Sequence, residues 1–143
     1  MSSDRLERDD LFMAVARLYA ARATCARGRV GAVAVRDGRI VASGYNGAPS
    51  GQPHCIDTGC ILDQEHCVRS IHAESNLIAW AARTGTELDD TYVFSTTQPC
   101  LACSRLLVNA GVVGVTFEHG YNGLNMELID ELGLETRLYE PAS

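Results

Sequence analysis

Thr91–Phe117, TYVFSTTQPCLACSRLLVNAGVVGVTF, holds the pattern from which the fold is read. Thr91 to Ser95 is rich in β-branched and aromatic residues and reads as a strand. Cys100 to Asn109 carries the apolar run Leu106-Leu107-Val108, with Pro99 favouring a first helical turn and Gly111 marking the helix end. Val112 to Phe117 returns to β-branched residues and predicts a second strand. Strand, helix and strand in close succession call for a sheet with a helix laid on it.

The rest of the chain extends that unit. Val30–Val35 and Arg39–Ser43 flank Arg36-Asp37-Gly38, and an Asp-Gly turn between two β-branched runs predicts an antiparallel hairpin. A first helix, capped by Asp9 or Asp10, sets Leu11, Phe12, Val15, Leu18 and Tyr19 at three-to-four spacing and ends before Cys25. His72–Arg83 reads as a helix, Met126–Leu132 as another stopped by Gly133, and Leu134–Tyr139 as a last strand. This order predicts an α/β fold, a three-layer α/β/α sandwich around a mixed sheet of about five strands, in one domain spanning 1–143. The one long irregular stretch is expected at 46–70, where loops in compact domains are usually functional.

At 143 residues and 46% hydrophobic content, the chain has material for one core. No stretch approaches the roughly 20 apolar residues of a membrane span, so no membrane partner is expected. The start, Met1-Ser2-Ser3-Asp4-Arg5-Leu6, is charged and has no apolar signal core, which predicts a cytoplasmic protein. Twelve basic residues against 18 acidic ones give a net charge of −6, with no basic stripe. A polynucleotide is therefore disfavoured as a partner, whereas a small anionic ligand needs only one or two arginines.

His72-Ala73-Glu74 and Pro99-Cys100-Leu101-Ala102-Cys103 supply the chemistry. His72, Cys100 and Cys103 are three candidate zinc ligands, and Glu74 is a carboxylate outside that set. Catalytic zinc keeps three protein ligands and leaves a fourth position to water, whose pKa falls to roughly 7. Glu74, two residues after His72 at a helix start, is placed to move protons. Helix-start dipoles favour the thiolates. Singly, Cys-x-x-Cys also suits a redox dithiol or half a structural finger, and a lone His a satisfied polar residue. At this joint spacing they form the zinc deaminase pattern.

A second group of soft donors exceeds what that site uses: Cys25, Cys55, Cys60, His66 and Cys67. Four of them would close a structural zinc site, and a long loop without its own core gains from such a clip. Linear spacing does not choose the four. His54, beside Pro53, is the weaker candidate, and free thiols packed in a core are the plain alternative.

Thr24-Cys25 before Val30-Gly31-Ala32-Val33, Gly44-Tyr45-Asn46-Gly47, His54-Cys55 with Gly59-Cys60, and His66-Cys67-Val68-Arg69 before Ile71-His72-Ala73-Glu74 and Asn76 join the Pro99-Cys100-x-x-Cys103 element. Over nearly the whole chain they resemble the bacterial and phage deoxycytidylate (dCMP) deaminases and their competence-operon relatives, within the zinc cytidine deaminase superfamily. The resemblance implies hydrolysis of dCMP to dUMP and ammonia for thymidylate synthesis, with catalytic zinc on His72, Cys100 and Cys103 and Glu74 as proton shuttle. It implies Asn46 and Arg83 as substrate contacts, Arg83 at the monophosphate; a solvent-facing charge at a helix C-terminus is the other reading of Arg83. Cys25 and Cys55 match a second zinc site, and Ser70 stands where some phage relatives have an acidic ligand. The resemblance further implies a homo-oligomer of hexamer size, activated by dCTP with Mg2+ and inhibited by dTTP, with Gly44, Tyr45, Asn46 and Gly47 contributing to the allosteric site. A plain tight turn also needs such glycines. Two other readings stand beside it: a deaminase of another or modified cytosine nucleotide or nucleoside, and a non-catalytic zinc-binding competence or interaction protein.

Overall fold

Asp37 and Gly38 turn the chain between β1 (Gly31–Arg36) and β2 (Arg39–Tyr45), with φ of 54° and 73°. Two left-handed residues are what a two-residue type I′ hairpin turn requires, so the Asp-Gly signal decides this element locally. The computed structural model describes residues 4–25 and 28–142, apart from the side chain of His66. Around the hairpin run α1 (Arg8–Ala20), α2 (Cys55–Thr58), the ribbon strands β3 (Leu62–Asp63) and β4 (His66–Cys67), and α3 (Ala73–Thr84). They are followed by β5 (Thr91–Thr97), α4 (Leu101–Asn109), β6 (Val112–His119), α5 (Met126–Glu131) and β7 (Glu135–Leu138).

The five-stranded sheet has the order β2-β1-β5-β6-β7. β1 runs antiparallel to both β2 and β5, whereas β5, β6 and β7 are mutually parallel. Parallel neighbours need crossovers, which α4 and α5 supply. Strand alternation sends Val33, Val35 and Phe94 to one face, under Phe12, Met13 and Ala16 of α1. Ala32, Ala34 and Val93 go to the other, under Leu77 and Ala81 of α3 and Leu107 of α4. The expected three-layer α/β/α sandwich is thus the observed one. No helix among the described residues is long and apolar enough to cross a membrane.

Two expectations are corrected. Asp9 and Asp10 do not cap α1: the helix starts at Arg8 with Glu7 as N-cap, and both aspartates lie in its first turn, where the dipole favours them. Their side chains are used elsewhere, Asp9 by Arg137 at 2.6 Å and Asp10 by the Tyr139 hydroxyl. The stretch 46–70 is not irregular throughout, since α2 and the β3–β4 ribbon fold within it.

Both helices beside the hairpin approach strand backbone closely. A Cβ at Gly31 would stand 2.0 Å from the Ala16 carbonyl oxygen of α1, and one at Gly44 would stand 2.5 Å from that of Ala73 in α3. Gly44→Ala is therefore expected to push out the start of α3 and lower the thermal midpoint by about 5–10 °C, an overpacking effect. A scanning calorimetry midpoint unchanged by the substitution would contradict this apposition.

Candidate functional site

His72 and Cys100 are the N-caps of α3 and α4, both in extended conformation. The two helix starts meet beyond the carboxyl end of β5, the strand at which the sheet passes from antiparallel to parallel pairing. Ligands collect at such switch points. His72 Nδ1 there lies 3.4 Å from Cys103 Sγ and 3.7 Å from Cys100 Sγ. In tetrahedral zinc, with Zn–N near 2.0 Å and Zn–S near 2.3 Å, nitrogen and sulfur donors stand about 3.5 Å apart. The three residues therefore fit zinc, with Nδ1 as the imidazole donor.

The thiols are electrostatically prepared for that role. Hydrogen bonding from Cys103, then from His72, draws the Cys100 thiol down to about 4, while the Cys103 thiol is pushed up by its partner Cys100 and by burial. His72 is raised by its hydrogen bond to Cys100. Zinc requires these donors deprotonated, so metal binding there is expected to release protons.

Glu74, 4% exposed, occupies the first turn of α3. Burial raises its pKa, opposed by hydrogen bonds from its own backbone amide and from the Ser95 hydroxyl, 3.1 Å from Oε1. A carboxyl so displaced toward neutrality suits proton transfer in both directions. His72, Glu74 and Cys100 open on a cleft of about 330 Å³, walled also by Asn46, Gln98 and Tyr121. Gln98 Oε1 accepts from the Tyr121 backbone amide at 3.3 Å, fixing that loop at the cleft. Sequence reasoning missed Ser95, Gln98 and Tyr121. A signal existed for Tyr121, because Gly-Tyr-Asn-Gly occurs twice, at 44–47 and again at 120–123.

The second donor group also assembles. The sulfurs of Cys25, Cys55, Cys60 and Cys67 lie within 4.8 Å of one another, with Cys55 and Cys67 at 3.5 Å. Sulfurs on a tetrahedral zinc stand about 3.8 Å apart, so this set fits the metal and is closed by four protein ligands. Cys55 begins α2, Cys67 ends β4, and Cys60 follows Gly59, whose φ of 86° reverses the chain. The side chain of His66 lies outside the described residues. His54 turns away to the Thr24 hydroxyl, 2.8 Å from its Nδ1. Burial and the hydrogen bond with Cys67 push the Cys55 thiol up to about 12. Burial raises Cys67, but hydrogen bonds from the backbone amides of Arg69 and Ser70, with those from the side chains of Cys55 and Cys60, together bring the thiol down to about 6. All six cysteines are free thiols. Cys25 and Cys67 also line the cleft of His72 and Cys100, so the two donor groups share a wall.

Asn46 lines the cleft, but its amide is largely committed: Oδ1 accepts from the Val30 backbone amide at 2.7 Å and Nδ2 donates to the Gly28 carbonyl at 2.7 Å. Its observed work is to hold the 28–30 wall. Arg83 is not brought to this cleft. Eleven residues beyond His72, it stands about 16 Å further along the helix at 1.5 Å per residue. It is exposed, with its guanidinium 4.9 Å from the centre of the Trp80 ring. Arg83 is thus not among the residues that line the cleft of His72 and Glu74. Gly44, Tyr45 and Gly47 line a separate cavity of about 520 Å³ with Trp80, Asn76 and His54.

Residues 6–119 match the family model for the cytidine and deoxycytidylate deaminase zinc-binding region. The chain is 37% identical over 139 residues to ComE operon protein 2 of Bacillus subtilis, covering 96% of this chain and 74% of that protein. It is 33% identical over 143 residues to the deoxycytidylate deaminase of Schizosaccharomyces pombe, covering 93% of this chain but only 44% of the yeast protein, so it spans less than half of that relative. Its structure is similar to that of the dCMP deaminase of cyanophage S-TIM5 in complex with dCMP and dUMP, with a TM-score of 0.83 and 29% identity, covering 96% of this chain and 100% of the phage chain.

Proposed function

The chain belongs to the cytidine and deoxycytidylate deaminase zinc-binding family, and from that premise we propose that it hydrolyses dCMP to dUMP and ammonia, supplying dUMP for thymidylate synthesis. The observation that carries the reading is the buried Glu74 carboxyl opening on the same cleft as His72 and Cys100, whose donors with Cys103 fit zinc. Zinc on these three residues supplies, when bound, a water acidified toward neutrality and a positive charge beside the reacting carbon. Glu74 takes a proton from the attacking water and passes it to ring N3, then takes the remaining proton of the hydroxyl now on C4 and delivers it to the amino group leaving C4. Ammonia departs and C4 keeps the water oxygen as a carbonyl. Asn46 shapes the wall against which the nucleotide lies, and Cys25, Cys55, Cys60 and Cys67 hold a second, structural zinc.

Regulation by dCTP with Mg2+ and by dTTP belongs to the same reading. It is supported by the 520 Å³ cavity at Gly44, Tyr45 and Gly47, beside which the Arg83 guanidinium stacks on Trp80. Assembly into a hexamer is supported by large apolar side chains left exposed on several elements, Trp80 of α3, Leu106 of α4 and Val113 of β6 among them. A reducing cytoplasm suits six free cysteines.

The test is ammonia release from dCMP, CMP, deoxycytidine and dCTP, with dCTP and Mg2+ also added as effectors to the first three. Selective turnover of dCMP, raised by dCTP, is the expected result. Turnover of a different cytosine compound would overturn the substrate, and silence across the panel would favour the non-catalytic zinc-binding reading.

A further inference from the structure

We propose that Ser95 is a positioning residue for Glu74, fixing its carboxyl group from the sheet by a hydrogen bond to Oε1. Ser95 is wholly buried in β5, between apolar Phe94 and the strand end, where a hydroxyl has no solvent to satisfy it. Its Oγ lies 3.1 Å from Glu74 Oε1 and 2.8 Å from the Thr97 carbonyl oxygen. A hydroxyl has one hydrogen, so it donates to one of these acceptors at a time. With Glu74 ionised, the hydrogen goes to the carboxylate, the charge-assisted acceptor. When the other carboxyl oxygen takes up a proton, Oε1 is still an acceptor, so the same hydrogen bond from Ser95 persists. Oε1 is thereby held in place through the cycle, and the other carboxyl oxygen is left to exchange protons with water and base. Alanine or valine, ordinary residues for an interior strand, would offer neither contact.

The inference rests on the deaminase reading, so parent, Ser95→Ala and Ser95→Thr are assayed together on dCMP, with zinc content and dUMP affinity measured on each. For Ser95→Ala, kcat is expected to fall about 10- to 100-fold, the factor carried by one hydrogen bond to a charged group. KM for dCMP and Kd for dUMP should stay within about twofold, since a contact that serves the reaction rather than binding moves kcat alone. Zinc content should not change, and Ser95→Thr, which keeps the hydroxyl, should recover most of the rate. A Ser95→Ala kcat close to that of the parent overturns the role. So does a fall shared with zinc loss or weakened dUMP binding, which marks a structural effect, or a Ser95→Thr variant that binds zinc and dUMP normally yet is as slow as Ser95→Ala. A parent inactive on dCMP fails in its own assay, removing the deaminase reading and this inference with it.

Discussion

Glu74→Ala should lower dCMP turnover by about 10³- to 10⁴-fold, the upper range for a positioned general acid and base. Zinc content should not change, because His72, Cys100 and Cys103 complete the donor set without Glu74. The size of the effect follows from the cleft: Glu74 is the carboxyl buried beside the donor triad, and Ser95 already holds one of its oxygens. Glu74→Gln keeps the shape and a hydrogen-bond partner for Ser95 but not the exchangeable carboxyl proton, so it should be nearly as slow. Steady-state kinetics with metal analysis of the same preparations checks both. An alanine variant retaining a tenth of the parent rate, zinc intact, would leave the proton-transfer role without support.

The second large effect is expected at Cys67. Cys67→Ser should remove one of two zinc ions per chain and lower the thermal midpoint by more than about 10 °C, because metal bound only by the folded chain contributes directly to folding. The four cysteines join the segment after α1, the short α2, Cys60 beyond it and the β3–β4 ribbon, pieces with few buried apolar residues of their own. Activity should fall as well, since Cys25 and Cys67 form part of the cleft wall. Metal analysis and calorimetry decide it: two zinc ions and an unchanged midpoint would mean that the cluster is only a group of neighbouring thiols.

Local rules made much of this legible. The Asp37-Gly38 turn, the β5–α4–β6 unit and the helix starts at His72 and Cys100 each depend on a few neighbouring residues, and all formed where expected within one or two positions. The donor triad followed, because helix-start placement fixes which way its side chains converge. What stayed illegible depends on chain reversal. Spacing did not choose among the five donors, since a two-residue ribbon strand and Gly59 at positive φ decide that the sulfurs of Cys25, Cys55, Cys60 and Cys67 meet. Asp9 and Asp10 satisfied a capping pattern but are used by Arg137 and Tyr139 at the far end of the chain. Arg83 followed from resemblance, while the length of α3 carries it away from the cleft. Ser95 looked like one more strand residue until its neighbour across the layer proved to be Glu74.

At the end of β2, successive residues serve different chambers: Tyr45 borders the larger cavity, and Asn46 borders the cleft while clasping Val30 and Gly28. The span between the two chambers is accordingly one peptide unit, so the backbone that lines one at Tyr45 is the backbone that anchors the wall of the other at Asn46.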